Sequence, residues 1–335
     1  MVGGSAGGVE AVAAIARALP PTLPAAVCVV IHFPDSTASA LPQILNRAGN
    51  LPAAHAADAE PVRPGRIYIA PPGCHLTVAD GRLRVRSGPK ENGHRPAIDP
   101  LFRSAAREYG TDAIGVILSG NLDDGTAGLA AIKRAGGLTI VQEPDDALFG
   151  GMPRSAVRHV GPDYVVPLDE IPALLKRLTE SPAERGEAMP QPSEIPPAHA
   201  EWDPGAPNGE PSGFTCPECH GALWASDEPG VLHYRCRVGH AYSAESLLAA
   251  HDTDLEAALW TALRSLEEHA AMSRRMSVSA RKLGHPRSAS AYAERALDSE
   301  HHAAIIRRTI EQFEQRAHPA AEDLAPAEPP AVSRP

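Results

Sequence analysis

Residues 25–32 read AAVCVVIH, an unbroken apolar run closed by a histidine. A strand with no polar alternation has no face for water, and that is the condition inside a parallel sheet covered by helices. Working outward, GRIYIA (65–70), AIGVILSG (113–120), LTIVQ (138–142) and DYVVP (163–167) have the same character. Between several of them lie VEAVAAIARAL (9–19), ASALPQILNRA (38–48), DPLFRSAAREYG (99–110) and TAGLAAIKRAG (126–136), which read as amphipathic helices. The rhythm predicts an α/β fold over residues 1–178, a doubly wound, mostly parallel sheet with helices on both faces.

The whole chain has 335 residues, 43% of them hydrophobic, which suffices for a sizeable core. Its formal net charge of -10 argues against nucleic acid or an anionic membrane surface as the main partner, because phosphate binding requires excess Lys and Arg. No apolar run approaches the ~20 residues that span a bilayer, and the start lacks the basic and apolar regions of a signal peptide, so a cytoplasmic location is expected. Five cysteines are too few for a disulfide scaffold of this size, and three of them fall close together. Cys28, inside the apolar run, reads as a buried small hydrophobe.

Residues 179–211 are rich in Pro, Glu and Ala and read as a linker. A compact segment is expected over 212–242, a helical hairpin over 243–317 broken at Gly284-His285-Pro286, and a disordered Ala/Pro tail over 318–335. The apolar stripes of the hairpin are expected at Leu248, Leu255, Leu259, Ala262, Leu263 and Leu266, and at Tyr292, Leu297, Ile305, Ile306, Ile310 and Phe313. Ser243 and Ser246 give a weak helix-cap signal.

The chain opens MVGGSAGGVEA, with one serine among four glycines. A phosphate cradle would require G-x-G-x-x-G and an acidic residue at the end of the second strand. Here Ser5 stands at the middle glycine, and the second strand runs into His32. A G-x-S-x-G elbow fits better: a sharp strand-to-helix turn would expose the Ser5 hydroxyl near helix N–H groups that can stabilise an oxyanion. A serine hydroxyl needs a base, itself oriented by a carboxylate. His32 and Asp124 are the candidates, since Ser5, His32 and Asp124 each follow a predicted strand and the crevice of a doubly wound sheet lies beyond strand carboxyl ends. The plainer readings are an ordinary glycine turn, a strand-end histidine, and Asp123-Asp124 as a turn or helix cap before Gly125. His55, His75 and His94 compete as bases but lie in Pro- or Ala-rich loops without strand-end context.

GGSAGGVEA, VVIHFPDS, RPGRIYIAPPGCHLTV, HRPAIDPLFRSAA, ILSGNLDDGTAGLAAIKRAGG and FGGMPRSAV, in this order over residues 1–178, resemble the catalytic domain of the chemotaxis protein-glutamate methylesterases of CheB type. The resemblance implies a Ser5, His32, Asp124 triad and hydrolysis of glutamyl methyl esters on the cytoplasmic helices of chemoreceptors, releasing methanol. It also implies glutamine deamidation in some members and no cofactor for catalysis. The sequence departs from the family at Asn121-Leu122, where Met-Gly is usual, and at Phe33, where methionine is common. Neither a receiver domain ahead of the esterase segment nor receiver-type phosphorylation control is expected. Only Met1 and Val2 precede Gly3, too few for a strand of about five residues, so either the first strand is short or, the favoured expectation, the true start lies upstream of Met1.

FTCPECHGALW and HYRCRVGHAYS supply C-x2-C and C-x3-H on two turns, the ligand count and type of a closed structural zinc site formed by Cys216, Cys219, Cys236 and His240. His220 and His233 compete as fourth ligand. This zinc-ribbon-like module and its helices resemble an extension found on some stand-alone methylesterase-like proteins. His251, His269, His301 and His302 read as scattered surface histidines. The leading expectation is a serine esterase acting on methylated chemoreceptors or another methylated protein, with the module serving docking or regulation and a signalling kinase or methyltransferase as a further partner. The alternatives are a non-catalytic adaptor that docks partners through the ribbon and helices, and a nucleotide-binding regulator.

Overall fold

In the computed structural model, which describes residues 1–33, 39–180, 209–228 and 231–317, the apolar runs become strands of one seven-stranded sheet. In chain order the elements are β1 (Val2–Gly4), α1 (Gly8–Ala18), β2 (Ala26–Ile31), α2 (Leu41–Ala48), β3 (Ala53–His55), β4 (Arg66–Ile69), β5 (His75–Ala79) and β6 (Arg82–Arg86). Then follow α3 (Ile98–Tyr109), β7 (Ile114–Ile117), α4 (Thr126–Arg134), β8 (Leu138–Gln142), α5 (Gly151–Val160), β9 (Tyr164–Val166) and α6 (Ile171–Glu180). The sheet order is β3-β4-β2-β1-β7-β8-β9, and every pairing is parallel. The chain therefore leaves β1 on one side through β2 and returns on the other through β7, which makes β1 the point where the winding reverses.

Along β2 the side chains alternate between two cores. Val27, Val29 and Ile31 pack with Val12, Ile15, Leu41, Leu45 and Leu178, whereas Cys28 and Val30 pack with Leu101, Phe102, Leu129, Ile132 and Ala156. Helices α1, α2 and α6 thus cover one face and α3, α4 and α5 the other. Each fully buried Val, Leu or Ile stabilises by about 1.5–3 kcal/mol, and with both faces closed no position in the run favours a polar side chain.

β5 and β6 form a separate antiparallel hairpin joined by Asp80-Gly81, whose φ angles of 54° and 65° are those of a two-residue primed turn. His75 and His55 therefore lie in β5 and at the end of β3, not in loops as the sequence suggests.

Beyond α6, the expected linker lies mostly outside the described residues, as does the expected tail over 318–335. α6 reaches Glu180 and the next strand opens at Glu210, so both ends of the expected linker are in regular structure. β10 (Glu210–Thr215), β11 (Ala222–Glu228), β12 (Val231–Cys236) and β13 (Ala241–Ser243) form an antiparallel sheet, followed by α7 (Ala244–Lys282) and α8 (Pro286–Ala317). The chain divides into two compact units, Met1–Ala250 and His251–Pro335. Within the first, β13 is paired on both edges: with β12, and with the loop before α3, where the Asn92 N–H donates to Ala241 O (2.7 Å) and the Ala241 N–H to Lys90 O (3.2 Å).

In the second unit α7 and α8 pack along a seam of small residues. Leu263, Ala270 and Ser277 on α7, and Ala289, Ala296, Ala303 and Ile310 on α8, are buried at seven-residue intervals, a heptad spacing. The expected stripe is corrected in part: Leu255, Leu297 and Ile305 are exposed, because alanine and serine let the helices approach where larger side chains would hold them apart. Leu248, in the first unit, is exposed as well. Among the described residues no helix is long and apolar enough to cross a membrane.

Candidate active site

Between β1 and α1 the chain reverses over Ser5-Ala6-Gly7. Gly7 takes φ 74°, and a Cβ there would stand 2.7 Å from Ser119 Oγ, so both conformation and space require glycine. Ser119 latches this elbow: its hydroxyl donates to Ala6 O (2.7 Å) and accepts the Phe149 N–H (2.9 Å), while its carbonyl accepts the Ser5 N–H (2.9 Å). Gly120 is pressed against the same turn. A Cβ on it would meet Met152 Sδ at 2.1 Å and Ser5 Cβ at 2.9 Å. The Ala6 N–H, at the positive end of α1, finds no partner among the described residues and is free to donate to a developing oxyanion.

His32 follows β2, and its backbone N–H donates to Gly4 O (3.3 Å), which sets it beside the serine turn. Its side chain is 6% exposed and its Nε2 lies 2.7 Å from Asp124 Oδ2. Asp124 Oδ2 also accepts the Ile98 N–H (2.7 Å), and Oδ1 accepts the Asn92 side-chain amide (2.9 Å). Burial, the strongest influence on Asp124, pushes its carboxyl up; the His32 hydrogen bond, the imidazole charge and the Ile98 N–H outweigh it and hold the group at about 2. An ionised Asp124 only accepts, so His32 carries its proton on Nε2. His32 Nδ1 is buried with no hydrogen-bond partner among the described residues, which leaves its lone pair available to a base's work. Ser5, His32 and Asp124 thus lie at the carboxyl ends of β1, β2 and β7, three adjacent strands at the reversal of the winding.

Two features lay outside the sequence reading. His94 stacks on His32, with ring centroids 3.7 Å apart and planes 15° from parallel, which fixes the imidazole from one side. Asn92 bridges Asp124 and a second buried carboxylate, Asp99 Oδ2 (3.0 Å), while Asp99 Oδ1 accepts the Gly128 N–H (2.6 Å). Burial, then the charge of Asp124, pushes the Asp99 carboxyl well above its usual range. His75 is excluded as a base, since Nε2 donates to Pro89 O (2.8 Å) and Nδ1 accepts the Ala97 N–H (3.2 Å). Of the turn and helix-cap readings of Asp123 and Asp124 the turn holds, with the Thr126 N–H donating to Asp123 O (3.0 Å), whereas α4 starts from Gly125 with no side-chain cap and both carboxylates bond elsewhere. Leu122, where a glycine would sit easily, takes φ 60°.

A second cluster lies in the antiparallel sheet. The ligand atoms of Cys216, Cys219, Cys236 and His240 all lie within 4.8 Å of one another. Cys219 Sγ is 3.6 Å from Cys236 Sγ, and His240 Nδ1 is 3.6 Å from Cys216 Sγ and 3.5 Å from Cys236 Sγ. Corners of a tetrahedral zinc shell with usual bond lengths stand ~3.8 Å apart for two sulfurs and ~3.6 Å for sulfur and nitrogen, so the donors fit that ion. Two turns present them, one closed over four residues by His220 N–H to Cys216 O (2.8 Å) and one over three by Gly239 N–H to Cys236 O (3.0 Å), with His220 and Gly239 at positive φ. The hydrogen bond shared by Cys216 and Cys236 draws the Cys236 thiol down and pushes the Cys216 thiol up, so in the absence of an ion the pair holds one thiolate.

The CheB methylesterase family model matches residues 1–175. A protein-glutamate methylesterase/protein-glutamine glutaminase 2 of Anaeromyxobacter dehalogenans is 42% identical over 179 residues, covering 53% of this chain and 52% of that protein. A protein-glutamate methylesterase/protein-glutamine glutaminase of Yersinia pestis bv. Antiqua is 40% identical over 174 residues, 51% of this chain and 50% of that one. The chain spans about half the length of the curated relatives it matches. The crystal structure of the Thermotoga maritima CheB methylesterase catalytic domain is 35% identical with a TM-score of 0.51, covering 53% of this chain and 96% of that one.

Proposed function

From its membership of the CheB methylesterase family, to which residues 1–175 assign the chain, we propose that it hydrolyses the methyl esters of protein glutamates. The observation that carries the proposal is His32, held through Nε2 by an ionised Asp124 with its Nδ1 lone pair free, beside the Ser5 turn. In this reading Ser5 Oγ bonds to the ester carbonyl carbon as its proton passes to His32 Nδ1, and the Ala6 N–H supports the oxyanion. The C–OCH3 bond breaks and methanol leaves with the proton from His32. Water then attacks the acyl-enzyme, giving its proton to His32, and the glutamate carboxylate is released as Ser5 recovers a proton. A glutamine amide would follow the same path with ammonia as leaving group, in keeping with the second activity in the relatives' names. The proposed substrates are methylated cytoplasmic helices of chemoreceptors, which places the enzyme in the cytoplasm.

In the same reading Cys216, Cys219, Cys236 and His240 hold a structural zinc ion. With four protein donors the site is closed, so bound zinc would supply folding free energy to a module with a small core of its own.

The test is methanol release from methylated chemoreceptor by the parent chain and by Ser5→Ala. A loss on the order of a thousandfold or more in the variant supports the triad. Equal release by both sinks it.

A further inference from the structure

The triad leaves unexplained a line of buried polar groups that runs from Asp124 into the C-terminal segment. Asn92 stands at its middle, divided between the two parts. Its amide faces the carboxylates of Asp124 and Asp99, which need donors, and its carbonyl accepts the Ser243 N–H (2.9 Å), which needs an acceptor. Its backbone, at φ 52°, donates to Ala241. Asp123, next to the triad carboxylate and 8% exposed, accepts hydrogen bonds from both Ser243 Oγ (2.8 Å) and Ser246 Oγ (2.7 Å). Both serines are 4% exposed, and the Ser243 hydroxyl also caps α7 by accepting the Ser246 N–H (3.0 Å).

A segment that only packed against the esterase surface would be better served by apolar contacts, because each buried carboxylate or hydroxyl is unfavourable unless fully paired. Here three donors from residues 243–246 converge on Asp123 and on the one amide that also holds Asp124. We infer that Asn92, Ser243 and Ser246 are positioning residues: the segment Ala241–Ser246 clamps the Asp123-Asp124 loop and so fixes the carboxylate that orients His32. The inference rests on the esterase reading for its kinetic consequence. None of the three residues belongs to the proposed triad, so loss of the clamp lowers kcat and leaves KM unchanged.

The experiment compares the full parent chain with Ser243→Ala/Ser246→Ala and with the hydroxyl-preserving Ser246→Thr. It reads kcat and KM for methanol release and the nitrogen NMR shifts of the His32 imidazole, which report the tautomer without any substrate. The double variant is expected to lose about tenfold to a hundredfold in kcat at constant KM, the scale of a small misplacement of catalytic groups, and its two imidazole nitrogens should move towards averaged shifts. Ser246→Thr should keep the parent's kcat and shifts. A folded double variant with the parent's kcat and the parent's imidazole shifts overturns the clamp, and so does a raised KM with kcat unchanged. Should the double variant fail to fold, Ser246→Ala alone, which keeps all three Ser243 bonds, is judged by the same criteria with a smaller expected loss. A parent that releases no methanol refutes the esterase reading alone; the imidazole shifts of the double variant then decide the clamp, averaged supporting it and unchanged overturning it.

Discussion

Gly120→Ala probes how closely the Ser5 turn is seated. The new methyl would lie 2.1 Å from Met152 Sδ, 3.1 Å from Met152 Cγ and 2.9 Å from Ser5 Cβ. Gly120 cannot withdraw, since its N–H donates to Phe149 O (2.9 Å) and its carbonyl accepts the Met152 N–H (2.8 Å). The Met152 thioether can swing aside, at the overpacking penalty of about 1–3 kcal/mol. Ser5 Cβ has no such freedom. To regain an ordinary carbon–carbon separation of ~3.5–4.0 Å it must retreat by ~0.6–1.1 Å, and a displacement of about 1 Å at a nucleophile lowers turnover on the order of a hundredfold. Methanol release and denaturant unfolding, measured on one preparation, separate the two effects. Removing the sulfur as well, in Gly120→Ala/Met152→Ala, relieves one clash and leaves the other, so kcat should stay low. A Gly120→Ala enzyme that loses stability but keeps kcat within about threefold of the parent would refute the reasoning, because all the strain would then sit at Met152.

Three further outcomes are expected. Asp124→Asn removes the charge that holds the His32 tautomer and should lower kcat/KM by about ten-thousandfold; activity within tenfold of the parent would exclude the assigned role. Because the Asp124 carboxyl is depressed to about 2 when folded and stands near ~3.9 when unfolded, its contribution to stability is complete above about pH 4 and disappears as the pH falls towards 2, and the Asn variant should lack that loss in unfolding midpoints read across the range. Cys216→Ser should abolish metal in the purified protein and speed amide exchange over β10 to β13, whereas an unchanged metal content would reject the four-ligand site. Arg103, 1% exposed, pairs with Glu91, 0% exposed, at 2.6 Å, so Arg103→Met should destabilise by about 3–5 kcal/mol in denaturant unfolding and Arg103→Met/Glu91→Leu by much less; equal losses would deny the pairing its weight.

The parallel sheet was legible because β2, β4, β7 and β8 are buried on both sides and their apolar runs are continuous. The candidate residues could be picked out because Ser5 stands between glycines, His32 closes the run of β2 and Asp124 follows the run of β7. The β5–β6 hairpin carried a signal that went unused: alternation in HLTVA and RLRVR around Asp-Gly. α5 and α6 carry Pro153 and Pro172 in their first turns, where proline is tolerated and where a reading for helix breakers stops short. The hairpin seam was legible at Leu259, Leu263, Leu266, Ile306 and Ile310 and misjudged at Leu255, Leu297 and Ile305, because further contacts fall to alanine and serine, which carry little weight in a hydrophobic pattern. Asn92, Asp123, Ser243 and Ser246 could not be read as a group at all. Each is an ordinary turn or cap residue locally, and their meaning arises from pairings across 120 to 151 positions.

Those separations also give the molecule an order of assembly in time. Ser5, His32 and Asp124 are all synthesised before the residues that bond to Asn92 and Asp123, and at ~5–20 residues per second the 120 positions from Asp123 to Ser243 occupy a ribosome for ~6–24 s. During that interval the sheet can form, but the acidic loop at its centre lacks the partners that hold it in the finished protein. A nascent or prematurely terminated chain therefore lacks the Ser243 and Ser246 bonds to Asn92 and Asp123, which arrive only with the last strand of the antiparallel sheet and the first turn of the helix after it.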